Sequence, residues 1–188
     1  MGTGHQHRIC TFDEAEKAIK AHKHIYVNDC GCRKPAKEGK TPYKYCGHPI
    51  ETCMGFRKPN AKNAEQWKYK EITRKQALAR FEDWKKQGNF FRFMEDANWI
   101  CFCCECGCGW LRDKKGKKVE DTCDKSPYIE KTDSDKCTIC GTCIDVCAHH
   151  ARTIKSDKMV VSSKKCYGCS ACEYICPEKA IKMEFRKK

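Results

Sequence analysis

The chain has 188 residues, a formal net charge of +13, a mean hydropathy of −0.79 and nineteen cysteines. So much cysteine would suit a disulfide scaffold in a secreted domain, but the count is odd and Met1–Gly4 leads straight into polar sequence with no apolar signal segment. No stretch approaches the roughly 18 consecutive apolar residues of a membrane span, so the reading is a cytoplasmic protein with reduced thiols, at home in an anaerobe.

Residues 1–10 carry no pattern and are expected to form a loose arm, with His5 and His7 solvated. Thr11-Phe-Asp-Glu14 is a capping box, and Ala15, Ala18, Ile19 and His22 follow at helical spacing, so a helix is expected over about 12–23. A short strand over 25–27 delivers Cys30-Gly-Cys32. Residues 33–63 are rich in Lys, Pro, Gly and Asn and read mostly as loop. Thr73-Arg-Lys-Gln76 opens a second helix of about 74–87, which Gly88 stops. Asn89–Trp99 is aromatic-rich. Arg112–Lys136 is charged and reads as a surface excursion followed by a linker. Beyond it, 153–154 and 159–161 flank a turn, 181–185 alternates like a strand, and short helices should follow Cys143 and Cys172.

The C-terminal part holds CTICGTCIDVCA and CYGCSACEYICP. Both runs read C-x2-C-x2-C-x3-C, with cysteines at 137, 140, 143 and 147 and at 166, 169, 172 and 176. Each iron of a 4Fe–4S core needs one thiolate. Two-residue gaps let a tight loop reach three corners, and a remote cysteine supplies the fourth. This segment resembles the bacterial-type dicluster 2[4Fe–4S] ferredoxins. The resemblance implies crossed ligation: Cys137, Cys140, Cys143 and Cys176 on one cluster, and Cys166, Cys169, Cys172 and Cys147 on the other. Ala148 stands where that family usually has proline, and this segment is basic where the family is usually acidic. Cys147-Ala-His-His-Ala151 repeats as Cys176-Pro-Glu-Lys-Ala180, with His149 and His150 expected at exposed turn positions.

The first 132 residues carry eleven further cysteines. Cys30, Cys32, Cys46 and Cys53 form one group; Cys101, Cys103, Cys104, Cys106 and Cys108 form another; Cys10 and Cys123 stand alone. Five thiols within eight residues make poor packing, and exposed they would oxidise, so a shared soft-metal centre explains them. C-x-C and C-C spacings suit iron–sulfur better than a zinc knuckle, with zinc the alternative. Trp99, Phe102 and Trp110 would supply a dry shell. The Cys30/Cys32/Cys46/Cys53 group counts one thiol per iron of a cubane. In an extended chain Cys104, Cys106 and Cys108 would point one way, and Cys101 and Cys103 the other. One cubane with a lent thiol, or a larger cluster shared by both groups, both remain open. His48 reads as a hydrogen-bond partner of sulfur or solvent more than a ligand. Arg33, Lys34, Lys37, Lys40 and Lys44, interleaved with Tyr43 and Tyr45, read as a solvated loop more than a docking patch. This half is similar to the cysteine-rich module that precedes a dicluster ferredoxin in some anaerobe iron–sulfur proteins. The likeness rests on CGCR at 30–33, GHPIETC at 47–53, the helix from Ile72 and NWICFCCECGCGWLR at 98–112.

The expected fold class is α+β: a mixed cysteine-rich metal-binding domain over 1–123, a linker over 124–132 and a dicluster ferredoxin-like domain over 133–188. No G-x-G-x-x-G and no G-x4-G-K-[ST] is present, and no acid–base constellation stands out. The expected function is an iron–sulfur electron carrier, a redox subunit or activator of a larger metalloenzyme. The alternative is a reductase that uses an N-terminal cluster as a small-molecule site. The positive charge would steer the chain to an acidic redox partner. Nucleic acid also explains the charge, but no nucleic-acid-binding motif accompanies it.

Overall fold

Thr11 and Glu14 close the expected capping box at the start of α1 (Phe12–Ala21), which buries Phe12, Ala15 and Ile19. Thr73 and Gln76 do the same for α4 (Arg74–Lys86), which buries Ala77, Phe81 and Trp84; Gly88, at φ +69°, ends that turn. The computed structural model describes residues 7–42, 44–94, 98–111 and 123–187, with Trp110 by its backbone alone. His5, Tyr43 and residues 112–122 of the expected 112–136 excursion lie outside the described residues.

Both helices pack on one face of a six-stranded antiparallel sheet. Its strands are β1 (His7–Cys10), β2 (Ile25–Asp29), β3 (Glu51–Gly55), β4 (Lys70–Ile72), β5 (Phe90–Met94) and β6 (Trp99–Cys103), in the order β1-β5-β6-β3-β2-β4. Alternation decides the faces. Ile25, Val27, Met54, Phe91, Phe93, Ile100 and Phe102 join the buried helices in one core. The other face carries a row in register across five strands: Ile9, Arg92, Cys101, Cys53 and Asn28.

Two readings of this half need correction. The expected loose arm is β1: Ile9 and Cys10 are fully buried, and His7 is buried as well, because pairing with β5 satisfies the backbone. The expected loop over 33–63 contains α2 (Arg33–Lys37), β3 and α3 (Ala61–Gln66). β3 escaped notice because its opposed face is cysteine and glycine, so it lacks the β-branched signature of a strand.

The second half is built from two antiparallel pairs and two short helices. β7 (Tyr128–Thr132) pairs with β10 (Ile181–Phe185), and β8 (Arg152–Lys155) pairs with β9 (Lys158–Val161). Helices α5 (Thr142–Asp145) and α6 (Ala171–Ile175) start within the cysteine runs. The span read as a linker over 124–132 therefore contributes a strand to this half. Asp124 also bonds the backbone of His7 and Ile9, covering the edge of β1.

The halves meet along a packed seam. Phe12 N–H donates to Ser170 Oγ at 2.8 Å, and the Phe12 ring packs on Tyr174 at 5.5 Å. Ala171 belongs to the core beneath the sheet.

Candidate metal centres

The sheet gathers the N-terminal cysteines at one end. β2 and β6 finish there; β3 and β5 begin there. The loop from Cys30 to Ile50 and the turn after Cys103 therefore leave the sheet side by side. Cys53 and Cys101 are direct cross-strand partners, with their sulfurs 3.7 Å apart. A cavity of about 340 Å³ opens against this face. Seven thiols line it: Cys30, Cys32, Cys53, Cys101, Cys103, Cys104 and Cys108. Both sequence groups thus share one cavity.

Trp99 and Phe102 form part of its wall, as the dry-shell reading expected. Gly55 lets the Trp99 ring lie flat on the strand: a Cβ there would come within 2.3 Å of the ring. The Trp110 side chain lies outside the description.

The thiols of this cavity cannot all ionise unaided. Cys30 is held far below the usual thiol range, first by hydrogen bonds from the Cys32 and Cys53 thiols. Its neighbours pay the reverse. Cys53 is raised by its hydrogen bonds to Cys101 and Cys30 and by burial, and Cys103 by its bond to Cys108 and by burial. One thiolate in a low-dielectric wall repels the next. Two buried guanidiniums, Arg33 and Arg92, sit in the same wall at 1% and 0% exposure. Burial works against the charge of Arg33, yet the sulfurs of Cys104, Cys30 and Cys103 raise its pKa further. Arg33 is therefore not part of the solvated basic loop. It donates to Pro49 O and Thr52 Oγ1 and stands over Phe102. A soft multivalent cation would complete the charge balance, and this donor set fits one.

Cys46 does not join Cys30, Cys32 and Cys53, as one-thiol-per-iron counting suggested. It sits with Cys104 and Cys106, and the three sulfurs lie within 4.8 Å of one another. The alternation expected for 101–108 fails because β6 ends at Cys103 and the chain turns over 105–107. Cys101 and Cys103 do share one side of the strand. Cys10 and Cys123 are buried among apolar side chains.

In the second half, two cavities collect the thiols in crossed sets. One is lined by Cys137, Cys140, Cys143 and Cys176. The other is lined by Cys147, Cys166, Cys169 and Cys172. Left-handed backbone at Ile139, Gly141, Gly168 and Ser170 curls the loops around them. Gly168 is required by contact as well, since a Cβ would lie 2.1 Å from Tyr128 O. Backbone N–H groups of Ala151 and Ala180 donate to Cys147 and Cys176 sulfur at 3.3 and 3.4 Å. These are equivalent positions of the internal repeat. Donors aimed at sulfur, with four thiols per cavity, fit a 4Fe–4S cluster.

The next repeat position differs. Ile181 lines the first cavity, whereas Arg152 stands at the matching place in the second. Arg152 is 2% exposed. Its Nε donates to Cys143 Sγ at 3.2 Å, its Nη1 to Glu130 at 2.6 Å and its Nη2 to Thr132 at 2.8 Å. Burial lowers its pKa, but Cys172 and Glu130 outweigh that and raise it. One cation thus spans both cysteine sets. Sequence reasoning passed over it; the break in the repeat was the available signal.

His150 is exposed as expected and bonds Glu105 at 3.0 Å, across the seam. His149 is not wholly exposed. It stacks on Tyr167 at 4.2 Å and lies 5.1 Å from Phe90. Phe90, Cys103, Cys108, Leu111 and Cys123 make one buried cluster, against which Tyr167 and Cys169 pack.

Among the described residues, no helix is long and apolar enough to cross a membrane. No curated protein matches the chain. The family described as a 4Fe-4S dicluster domain matches residues 136–180. With the many cysteines, that match supports an iron–sulfur protein, the likeness to a 4Fe–4S dicluster domain being confined to residues 136–180.

Proposed function

We propose that the chain is an electron-transfer protein that moves low-potential electrons between an N-terminal iron–sulfur centre and two C-terminal 4Fe–4S clusters of bacterial-ferredoxin type. The observation that carries this reading is the seam. The thiol-lined cavity of the first half reaches the Cys147/Cys166/Cys169/Cys172 set through the packed side chains of Cys103, Phe90, His149 and Tyr167. Bound clusters supply one-electron chemistry.

The chain supplies the rest. Cys137, Cys140, Cys143 and Cys176 would hold one cluster, and Cys147, Cys166, Cys169 and Cys172 the other. Cys30, Cys32, Cys53, Cys101, Cys103 and Cys108 would hold the N-terminal centre, with zinc the alternative metal. Arg33, Arg92 and Arg152 offset thiolate charge. The N–H groups of Ala151 and Ala180 tune individual sulfurs. The positive charge favours an acidic redox partner, including a larger metalloenzyme that this chain would serve as redox subunit or activator.

The test is iron, sulfide and zinc analysis on protein purified without oxygen, followed by reductive titration. Two 4Fe–4S clusters alone account for about eight irons. A further redox centre raises both iron and electron uptake. Zinc with about eight irons would confine electron transfer to the second half. A chain that keeps its iron but exchanges no electrons with a low-potential carrier would overturn the reading.

One observation favours a second reading, a small-molecule reductase. The N-terminal cavity is also lined by Asn63, Trp67, Tyr69 and Asp29, side chains that a thiolate-bound cluster does not need. Spectra of the reduced protein that change on adding a small ligand would support it.

A further inference from the structure

Three-way sulfur spacing separates one group of thiols from the rest: Cys53 and Cys101 sulfurs are also close, at 3.7 Å, but among the described residues no third sulfur joins that pair within the same reach. Two thiolates on one tetrahedral ion, with metal–sulfur bonds of about 2.3 Å, stand about 3.8 Å apart. Thiolates on different irons of a cubane stand farther apart, because a metal–metal edge lies between them. Cys46 and Cys104 sulfurs are 3.8 Å apart, and those of Cys104 and Cys106 are 3.3 Å apart. All three fall within 4.8 Å of one another, and no other three cysteines among the described residues come that close. The C-terminal sets, which surround cavities, are wider than this.

The backbone closes over the same three sulfurs. A Cβ on Gly107 would lie 2.8 Å from Cys46 Sγ and 3.2 Å from Cys104 Sγ. Glycine there lets the turn close directly against the two sulfurs. On the outer side a hollow is lined by Cys104, Cys106 and His48, and His48 is the one histidine in its lining.

We infer that Cys46, Cys104 and Cys106 hold a single soft divalent ion, zinc or iron, separate from the iron–sulfur centres; His48 stands outside this close trio but lines the adjoining hollow, from which its ring would turn in as the fourth ligand. The ion clips the loop carrying Cys46 to the turn after β6, beside the Glu105–His150 contact between the halves. It closes the cavity's outer wall, since Cys104 lines both. The inference does not rest on electron transfer, which could fail while this site stands.

The test compares Cys46→Ser, Cys106→Ser and Gly107→Ala with the native chain, all full length and purified without oxygen. The expected result is loss of one metal ion per chain with inorganic sulfide unchanged, because a single-ion site contains none. Zinc appears directly in the metal analysis; iron appears as a high-spin thiolate signal after oxidation. Cobalt(II) added to metal-depleted protein should give thiolate charge-transfer and tetrahedral visible bands, which all three variants abolish and His48→Gln shifts. Unchanged C-terminal cluster spectra show that the variants fold. Iron and sulfide falling together would overturn the inference in favour of a cubane spanning these residues, as would no metal loss at all. Cobalt bands unmoved in His48→Gln would remove His48 from the site.

Discussion

Replacing Arg152 with leucine should cost this protein more than its charge suggests. The side chains of Arg152 and Glu130 are 1% and 6% exposed and meet at 2.6 Å. Removing the guanidinium leaves the Glu130 carboxylate buried with Thr132 Oγ1 as its remaining hydrogen-bond donor. Breaking a buried pair from one side costs about 3–5 kcal/mol. Each kcal/mol moves the midpoint of a protein this size by about 2–4 °C, so Arg152→Leu should melt about 6 °C or more below the native protein. Adding Glu130→Leu should restore most of that loss, because two apolar groups leave no orphaned charge. The assay is loss of cluster absorbance on heating without oxygen, alongside circular dichroism. The single variant should also lower one reduction potential, since Cys143 loses a charged donor that favours the reduced cluster. A single variant that melts within a few degrees of native, or a double variant no better than the single, would refute the buried-pair argument.

Gly168→Ala forces a side chain into left-handed backbone and against Tyr128 O, so iron should be lost from the Cys147/Cys166/Cys169/Cys172 set; iron and sulfide per chain report it. In the metal-free protein, burial pushes Cys169 up to about 12, and burial with the Cys104 bond does the same for Cys106. Raised thiol pKa values favour the folded neutral form, so their contribution is complete below about 8.5 and fades as pH climbs toward 12; denaturant midpoints across that range check it. Metal must displace those protons, so reconstitution with iron should improve as pH rises. Thr11→Ala removes the hydroxyl that accepts from Glu14 N–H, while the backbone N–H of position 11 still donates to Glu14 Oε2; the loss should cost about 1 kcal/mol, read from the denaturant midpoint of the metal-free chain.

Much of the frame was legible because local chemistry wrote it. Both capping boxes, the stop at Gly88 and the turn between β8 and β9 are decided within a few residues. The C-terminal thiols were legible as two repeated runs, and their crossed sets were what the resemblance to dicluster ferredoxins implied. The N-terminal grouping was not, because it depends on which strands are neighbours. Cys53 meets Cys101 only through β3–β6 pairing, and Cys46 meets Cys104 and Cys106 only because two loops leave the sheet at one end. Strand β1 was missed for a similar reason. His7–Cys10 has no propensity signal and is a strand because β5 offers it an edge. Arg33 read as part of a solvated basic loop until the fold surrounded it with sulfur.

The crossing of the C-terminal sets has a consequence for biosynthesis. The cavity that begins with Cys137 lacks a wall until Cys176 has been made, and β7 has no partner until 181–185 follows. A nascent chain carrying only the first motif therefore presents three thiols and an unpaired strand. Under the proposed reading, cluster insertion in this half would follow synthesis of both motifs.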